Sequence, residues 1–279
     1  MSRLLGLCLF AVAGPAMAAT PVFDMHVHLR EGADSLRAYQ TEAEAAGLEL
    51  SGLGVMWFGG PHQARQGQPD AIRAGNDGVI ALAAADPKLL PIATVHPYDG
   101  QAALDELARV AAAGVRALKL HPHTQRFDVA DPRVEALVRR AGELGITVMF
   151  DNANILPGDS EKLFNLVLAV PGTRFVLAHI GGMNFRFWNV LPLTRTADSF
   201  GMPNLYFDIS ATVLLVAGSP LAEEFAWTLR NVGIDRVVLG SDYPQLGLGP
   251  TAEALERLPL SDDEKAAIRY RNARALFGR

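Results

Sequence analysis

Two regimes of hydrophobic patterning alternate along the chain. Short, almost continuously apolar runs occur at residues 21–29 (PVFDMHVHL), 53–58 (LGVMWF), 89–97 (LLPIATVHP) and 115–122 (VRALKLHP). Four more follow at 146–152 (ITVMFDN), 174–182 (RFVLAHIGG), 204–210 (NLYFDIS) and 236–244 (RVVLGSDYP). Runs this short and this rich in Val, Ile, Leu and Phe predict strands buried on both faces of a parallel sheet. The segments between them carry helical signals. Residues 100–114 close at Gly114, and 131–145 open with an Asp cap and Pro132 and stop at Gly145. Segments 158–172 and 219–233 also carry a serine near the start and a glycine at the end. Eight strands alternating with helices predict an α/β protein built as one (β/α)8 TIM barrel. The rival architecture, an open doubly wound sheet, lacks the glycine-rich phosphate loop expected after its first strand.

The first residues stand outside this pattern. MSRLLGLCLFAVAGPAMA has one arginine, an apolar run from Leu4 to Val12, the pair Gly14-Pro15, then Ala16 and Ala18. That order predicts a signal peptide over residues 1–18 and a barrel domain over 19–279. The run is shorter than the roughly 20 apolar residues of a membrane span. The expectation is therefore an exported protein, periplasmic, with no membrane association after cleavage. The single cysteine, Cys8, lies in the leader, so the mature chain has no disulfide, thiolate ligand or cysteine nucleophile. Net charge is -5, without a basic run that would track phosphates, so nucleic acid is not an expected partner.

Polar residues gather where a barrel keeps its chemistry, at the C-terminal ends of the strands. His26 and His28 finish strand 1, His96 strand 3, Lys119 and His121 strand 4, and Asp151 and Asn152 strand 5. His179 finishes strand 6, Asp208 and Ser210 strand 7, and Asp242 strand 8. Residues two apart on a strand share a face, so His26 and His28 point the same way, as do Lys119 and His121. Two imidazoles and a carboxylate at one barrel mouth make a ligand set for a single divalent metal, best suited to zinc, with manganese or iron as alternatives. Such an ion lowers the pKa of water to about 7. Asp242 is then a candidate proton acceptor as well as a ligand, and His179 a candidate to orient the nucleophile or stabilise an oxyanion.

The motifs DMHVHL, KLHP, AHIGG, GSDYP and IRYRNARALFG, in this order, resemble the amidohydrolase superfamily, in particular its amidohydrolase-related group of metal-dependent hydrolases and decarboxylases. The resemblance implies a metal-dependent barrel with His26, His28 and Asp242 as core ligands and His179 as the strand 6 histidine of the site. It also brings in lactonases that work with a similar residue set and no metal. One position departs from the pattern: where members with a tightly held metal present a strand 5 histidine, VMFDNAN has Asp151, either a substitute ligand or a residue that orients loop or substrate. In binuclear relatives the strand 4 lysine is carbamylated. Here Lys119 is read instead as an ammonium paired with Asp151 or Asp242, or meeting a substrate carboxylate.

Substrate contacts are expected from Lys119, His121, Asn152 and Arg186, with Trp57, Phe58, Phe185, Phe187 and Trp188 as an apolar wall. Asp24, Asp208 and Ser210 are read as structural, His62, His123 and Arg126 as loop residues, and His96 as either lining the mouth or satisfying loop amides. The expected activity is hydrolysis of an amide, lactone or ester carbonyl of a small organic molecule by metal-activated water. The alternatives are decarboxylation of an aromatic or unsaturated acid, metal-free lactone hydrolysis, and a ligand-binding barrel without catalysis. An apolar stretch at 184–193 leaves a homodimer open.

Overall fold

Eight parallel strands form one sheet in sequential order: β1 (Thr20–His28), β2 (Leu48–Met56), β3 (Leu89–Ala93), β4 (Ala117–Leu120), β5 (Thr147–Phe150), β6 (Phe175–Leu177), β7 (Leu205–Asp208) and β8 (Val237–Val238). The sheet curls into a barrel. Met25 N donates to Leu239 O, Asp242 N to His26 O and His28 N to Tyr243 O, each at 2.9 Å, so the chain beyond β8 is stitched to β1. The computed structural model describes residues 19–194 and 202–278. The expected signal peptide, 1–18, lies outside the described residues, as does 195–201 within the sixth βα loop.

Helices occupy the crossovers at Ala33–Ala45, Pro69–Ala85, Gln101–Ala112, Pro132–Glu143, Asp159–Ala169, Ala222–Val232 and Leu248–Arg257. The Asp131 side chain accepts from Arg133 N and Pro132 opens the helix, as the sequence reads. In segment 158–172 the helix begins at Asp159 after a left-handed Gly158, so its serine lies inside the first turn. Ser160 Oγ is engaged with Asn152 Oδ1 and Asn154 Oδ1, each at 3.1 Å, which ties the helix to the fifth βα loop. None of the helices among the described residues is long and apolar enough to cross a membrane.

Two apolar clusters show which way each strand residue faces. Leu118, Leu120, Val148, Phe150, Phe175, Leu177, Val237 and Leu239 pack outward against the helices. Phe23, Met25, Ile92, Ala117, Met149, Val176 and Val238 fill the barrel interior, plugged at the bottom by Ala273 and Leu276 of the C-terminal helix. A side chain fully buried in these layers contributes about 1.5–3 kcal/mol. Strict alternation upward from this interior layer aims Lys119, His121, Asp151, Asp208, Ser210 and Asp242 into the barrel mouth. His26 and His179 are out of phase with it. In β1 both Met25 and His26 face inward, because the register shifts between Asp24 and Val27, a bulge that re-aims the strand. After β6, His179 and Ile180 take left-handed backbones (φ 61° and 45°), which turns His179 inward directly after inward-facing Ala178.

Candidate metal-dependent active site

His26 and His28 present Nε2 atoms 3.2 Å apart. Asp242 Oδ1 completes a triangle, 3.4 Å from His26 Nε2 and 3.3 Å from His28 Nε2. All three residues are buried, and their donor atoms form the one His/Cys/Asp/Glu group among the described residues with metal-binding spacing. The opposite ring nitrogens fix the tautomers. His26 Nδ1 donates to Asp208 Oδ2 at 2.8 Å, and His28 Nδ1 donates to Phe58 O. Each Nδ1 therefore carries the proton, and two Nε2 lone pairs and a carboxylate oxygen face one another. That arrangement is repulsive without a cation between them. Two ligands each about 2.0–2.2 Å from one ion stand about 3.0–3.5 Å apart, so the observed separations fit a divalent metal.

The electrostatics agree with this donor set. Burial pushes His26 well below the ordinary imidazole range, helped by the charge on Lys119, so it stays neutral and able to ligate. Burial alone raises the Asp242 carboxyl, but the neighbouring imidazoles of His26 and His28 outweigh it and bring it down to about 2. Asp242 also has a left-handed backbone, φ 62°, a strained conformation for a non-glycine residue at a candidate site. Among the described residues its carboxylate is otherwise met only by the Gln245 amide, at 3.4 and 3.5 Å.

Asp151 faces a different set of partners. Its Oδ2 accepts from His179 Nε2 at 3.1 Å and lies 3.5 Å from His121 Nε2. The expected substitute ligand is thus engaged by imidazoles, and it is not part of the donor triangle. Burial opposes ionisation of Asp151, but the His179 hydrogen bond and the neighbouring His121, His179 and Lys119 charges hold the carboxyl well below its usual range. Burial likewise opposes charge on His179, and the bond to Asp151 wins, raising it. On its other side His179 Nδ1 lies 2.9 Å from Ser210 Oγ, which itself donates to Asp208 Oδ2 at 2.7 Å. His121 is pulled down to about 4 by burial.

Lys119 is fully buried, and its Nζ lies 3.1 Å from His26 Nε2. The expected direct pair with Asp151 or Asp242 is not formed: no carboxylate oxygen among the described residues lies within 4 Å of Nζ, because both acids are held by histidines. Burial lowers its pKa against the fields of Asp151, Asp242 and Asp208. His26, His28, Lys119, His121, Asp151, His179 and Asp242 line a single cavity of about 310 Å³ at the mouth.

Two expected substrate contacts lie elsewhere. Asn152, next to inward-facing Asp151, points the other way, where its Oδ1 accepts from Ser160 Oγ and its backbone carbonyl accepts from Gly181 N. Arg186 is on the surface, clasped by both oxygens of Glu224 at 2.5 and 2.7 Å. The aromatic wall is mostly core: Phe185 and Trp188 are fully buried, Phe187 packs edge-on against Phe164, and Trp57 donates to Asn76. Only Phe58 reaches the cavity. His96 satisfies loop groups, its Nε2 donating to Gln125 O and its Nδ1 accepting from Tyr98 N.

Two residues read as purely structural are part of the site. Asp208 and Ser210 hold the Nδ1 faces of His26 and His179, and their spacing of two on β7 is the same signal that marked Lys119 and His121. Gly240 makes room for this, since a Cβ there would lie 2.4 Å from Asp208 Oδ1. Asp24 anchors the strand as expected, accepting from His26 N, Ser241 N and the Tyr39 hydroxyl. Of the remaining cavity residues, Gly59, Gly60, Gln63 and Gln245 come from loops and Thr124 from the short helix Pro122–Gln125, segments whose sequence carries no periodic signal.

A parallel eight-stranded barrel with buried imidazoles and carboxylates converging at its C-terminal mouth defines a TIM-barrel protein with a metal-competent site. The family model described as Amidohydrolase matches residues 23–279, and the chain belongs to that family. No curated protein matches it at a significant level. Among solved structures it resembles 5-carboxyvanillate decarboxylase from Sphingomonas paucimobilis, at 17% identity and TM-score 0.69 over 94% of this chain and 99% of that one. It also resembles a putative amidohydrolase from Staphylococcus aureus, at 16% identity and TM-score 0.70 over 93% of this chain and 99% of that one. A third is dihydroxybenzoic acid decarboxylase from Polaromonas sp. JS666, with bound manganese and 2-nitroresorcinol, at 15% identity and TM-score 0.64 over 94% of this chain and 97% of that one.

Proposed function

We propose that this protein is a metal-dependent hydrolase that cleaves the amide, lactone or ester carbonyl of a small organic substrate with water. The observation that carries the reading is the triangle of His26 Nε2, His28 Nε2 and Asp242 Oδ1, closed to within 3.2–3.4 Å in a buried cavity. His26, His28 and Asp242 would hold a divalent ion, zinc by donor chemistry with manganese or iron as alternatives, which would lower the pKa of water and polarise a carbonyl. Asp242 accepts the proton of the attacking water as it adds to the carbonyl carbon, and returns it to the leaving nitrogen or oxygen as that bond breaks. His179, held on its two ring nitrogens by Asp151 and Ser210 and raised in pKa by Asp151, stabilises the developing oxyanion through its positive charge. Lys119, beside His26, and His121, beside Asp151, bind the polar end of the substrate.

One observation favours a second reading. Lys119 is a buried cation with no carboxylate of the described residues within 4 Å, an arrangement suited to a substrate carboxylate, and decarboxylation of such an acid uses the same donors. The solved decarboxylases share the fold and support this alternative. The leader-like residues 1–18 support export, with the periplasm as the compartment, and an amino terminus at Ala19 in the secreted protein checks it. The deciding experiment incubates the metal-loaded enzyme with a panel of lactones, esters, amides and aryl acids in ¹⁸O-water. Label in a new carboxyl group identifies hydrolysis, and carbon dioxide release without label in the organic product identifies decarboxylation. Neither product from any class contradicts catalysis of this kind.

A further inference from the structure

The barrel cavity is unusual for a site that takes an organic molecule. Such pockets measure about 300–1,000 Å³ and are lined mainly by apolar side chains. This cavity, about 310 Å³, is lined by imidazoles, carboxylates, a lysine, glutamines, a threonine and glycines, with Phe58 as its one large apolar side chain. It has room for a reacting head group and little to hold the rest.

A second groove, of about 670 Å³, lies on the other side of His179. The His179 imidazole belongs to the cavity, through its bond to Asp151, while its backbone carbonyl accepts from Thr212 Oγ1 of the groove at 2.5 Å. The groove is built from the loops after β5, β6 and β7, three adjacent strands, so it opens on the same C-terminal face as the cavity. Ile155, Met183 and Leu215 form its apolar wall although they are 65%, 51% and 61% exposed. They are three of the six exposed large apolar side chains among the described residues. Among the described residues, Glu161 is the only acidic residue on the wall and no lysine or arginine lines it.

We infer that this groove is a second substrate subsite, taking the uncharged apolar tail of a molecule whose carbonyl or carboxyl head lies in the barrel cavity. The inference rests on the proposed function and adds a substrate class: an acid or acid derivative with an extended aryl or alkyl tail rather than a single small ring. The described wall offers no lysine or arginine to a second carboxylate, and exposed Ile, Met and Leu side chains gain most from covering by hydrocarbon. Closure by a second copy of this chain is the competing occupant.

Calorimetric titration of the manganese-loaded full chain with benzoate and with biphenyl-4-carboxylate tests this. The second ring is expected to tighten binding by about tenfold or more, the effect of covering a few tens of Å² of apolar surface. In Leu215→Glu and Met183→Glu that ratio is expected to fall towards one, with benzoate affinity unchanged. Trp227→Glu, an exposed aromatic away from the groove, keeps it. Both acids binding equally well, or a tail preference that survives Leu215→Glu, overturns the inference and leaves the proposed function standing. Failure of both acids to bind the wild-type protein removes the inference together with the carboxylate-binding reading of the cavity. A dimer that Leu215→Glu converts to monomer, with the tail preference intact, assigns the groove to self-association instead.

Discussion

His179 Nε2 lies 3.1 Å from Asp151 Oδ2, so the strand 5 acid is tied to the strand 6 histidine rather than to the donor triangle. Asp151→Asn is therefore expected to retain about one metal ion per chain while losing activity. An imidazole stripped of its buried carboxylate partner costs about 3–5 kcal/mol of stability, and loss of such a supporting contact lowers activity about 10–100-fold. Elemental analysis beside steady-state rates checks the separation. Metal lost in parallel with activity would make Asp151 a ligand.

Asp208 bears on the donor triangle from the far side of His26. Removing its carboxylate in Asp208→Ala frees Nδ1 and lets the ring rotate or change tautomer. The expected result is metal affinity weakened by about 10–100-fold, with the fold retained. Competition with a chromogenic chelator measures it. Unchanged affinity would return Asp208 to a purely structural role.

Gly240 gives an independent view of the same contact. In Gly240→Ala the new methyl meets Asp208 Oδ1 at 2.4 Å, and the strand or the carboxylate must shift. Overpacking of this kind costs about 1–3 kcal/mol. Chemical denaturation is expected to show that loss, and chelator competition a weakened metal site although no ligand has been replaced.

The helix start at Ser261 serves as a contrast far from the mouth. Its Oγ accepts from Glu264 N at 3.3 Å, and Glu264 returns the bond to Ser261 N at 2.8 Å, a capping box. Ser261→Ala is expected to lower stability by about 1 kcal/mol and leave metal content and rates at wild-type values. A change in metal binding would show that stability and site are coupled throughout the barrel.

The barrel was legible because its strands are short, continuously apolar and separated by capped helices, a pattern that buried parallel strands require. The site was legible wherever simple alternation carries it, as for Lys119 and His121 on β4 and Asp242 after β8. His26 and His179 were found through their places at strand ends and then their motifs, while the bulge and the left-handed turn that aim them have no periodic signature. Asp208 and Ser210 show the same spacing of two as Lys119 and His121, but their function depends on reaching histidines of two other strands, which spacing does not reveal. Arg186 and Asn152 were misplaced because loop direction is set by tertiary partners, Glu224 in one case and Ser160 in the other.

The central claim is that His26, His28 and Asp242 hold one divalent ion. It is tested most directly by metal content per chain in the mature wild-type protein and in His26→Ala/His28→Ala, each first confirmed folded by circular dichroism. The account predicts about one zinc or manganese per wild-type chain and none in the variant. A folded wild-type protein that neither carries nor takes up a divalent metal would contradict it.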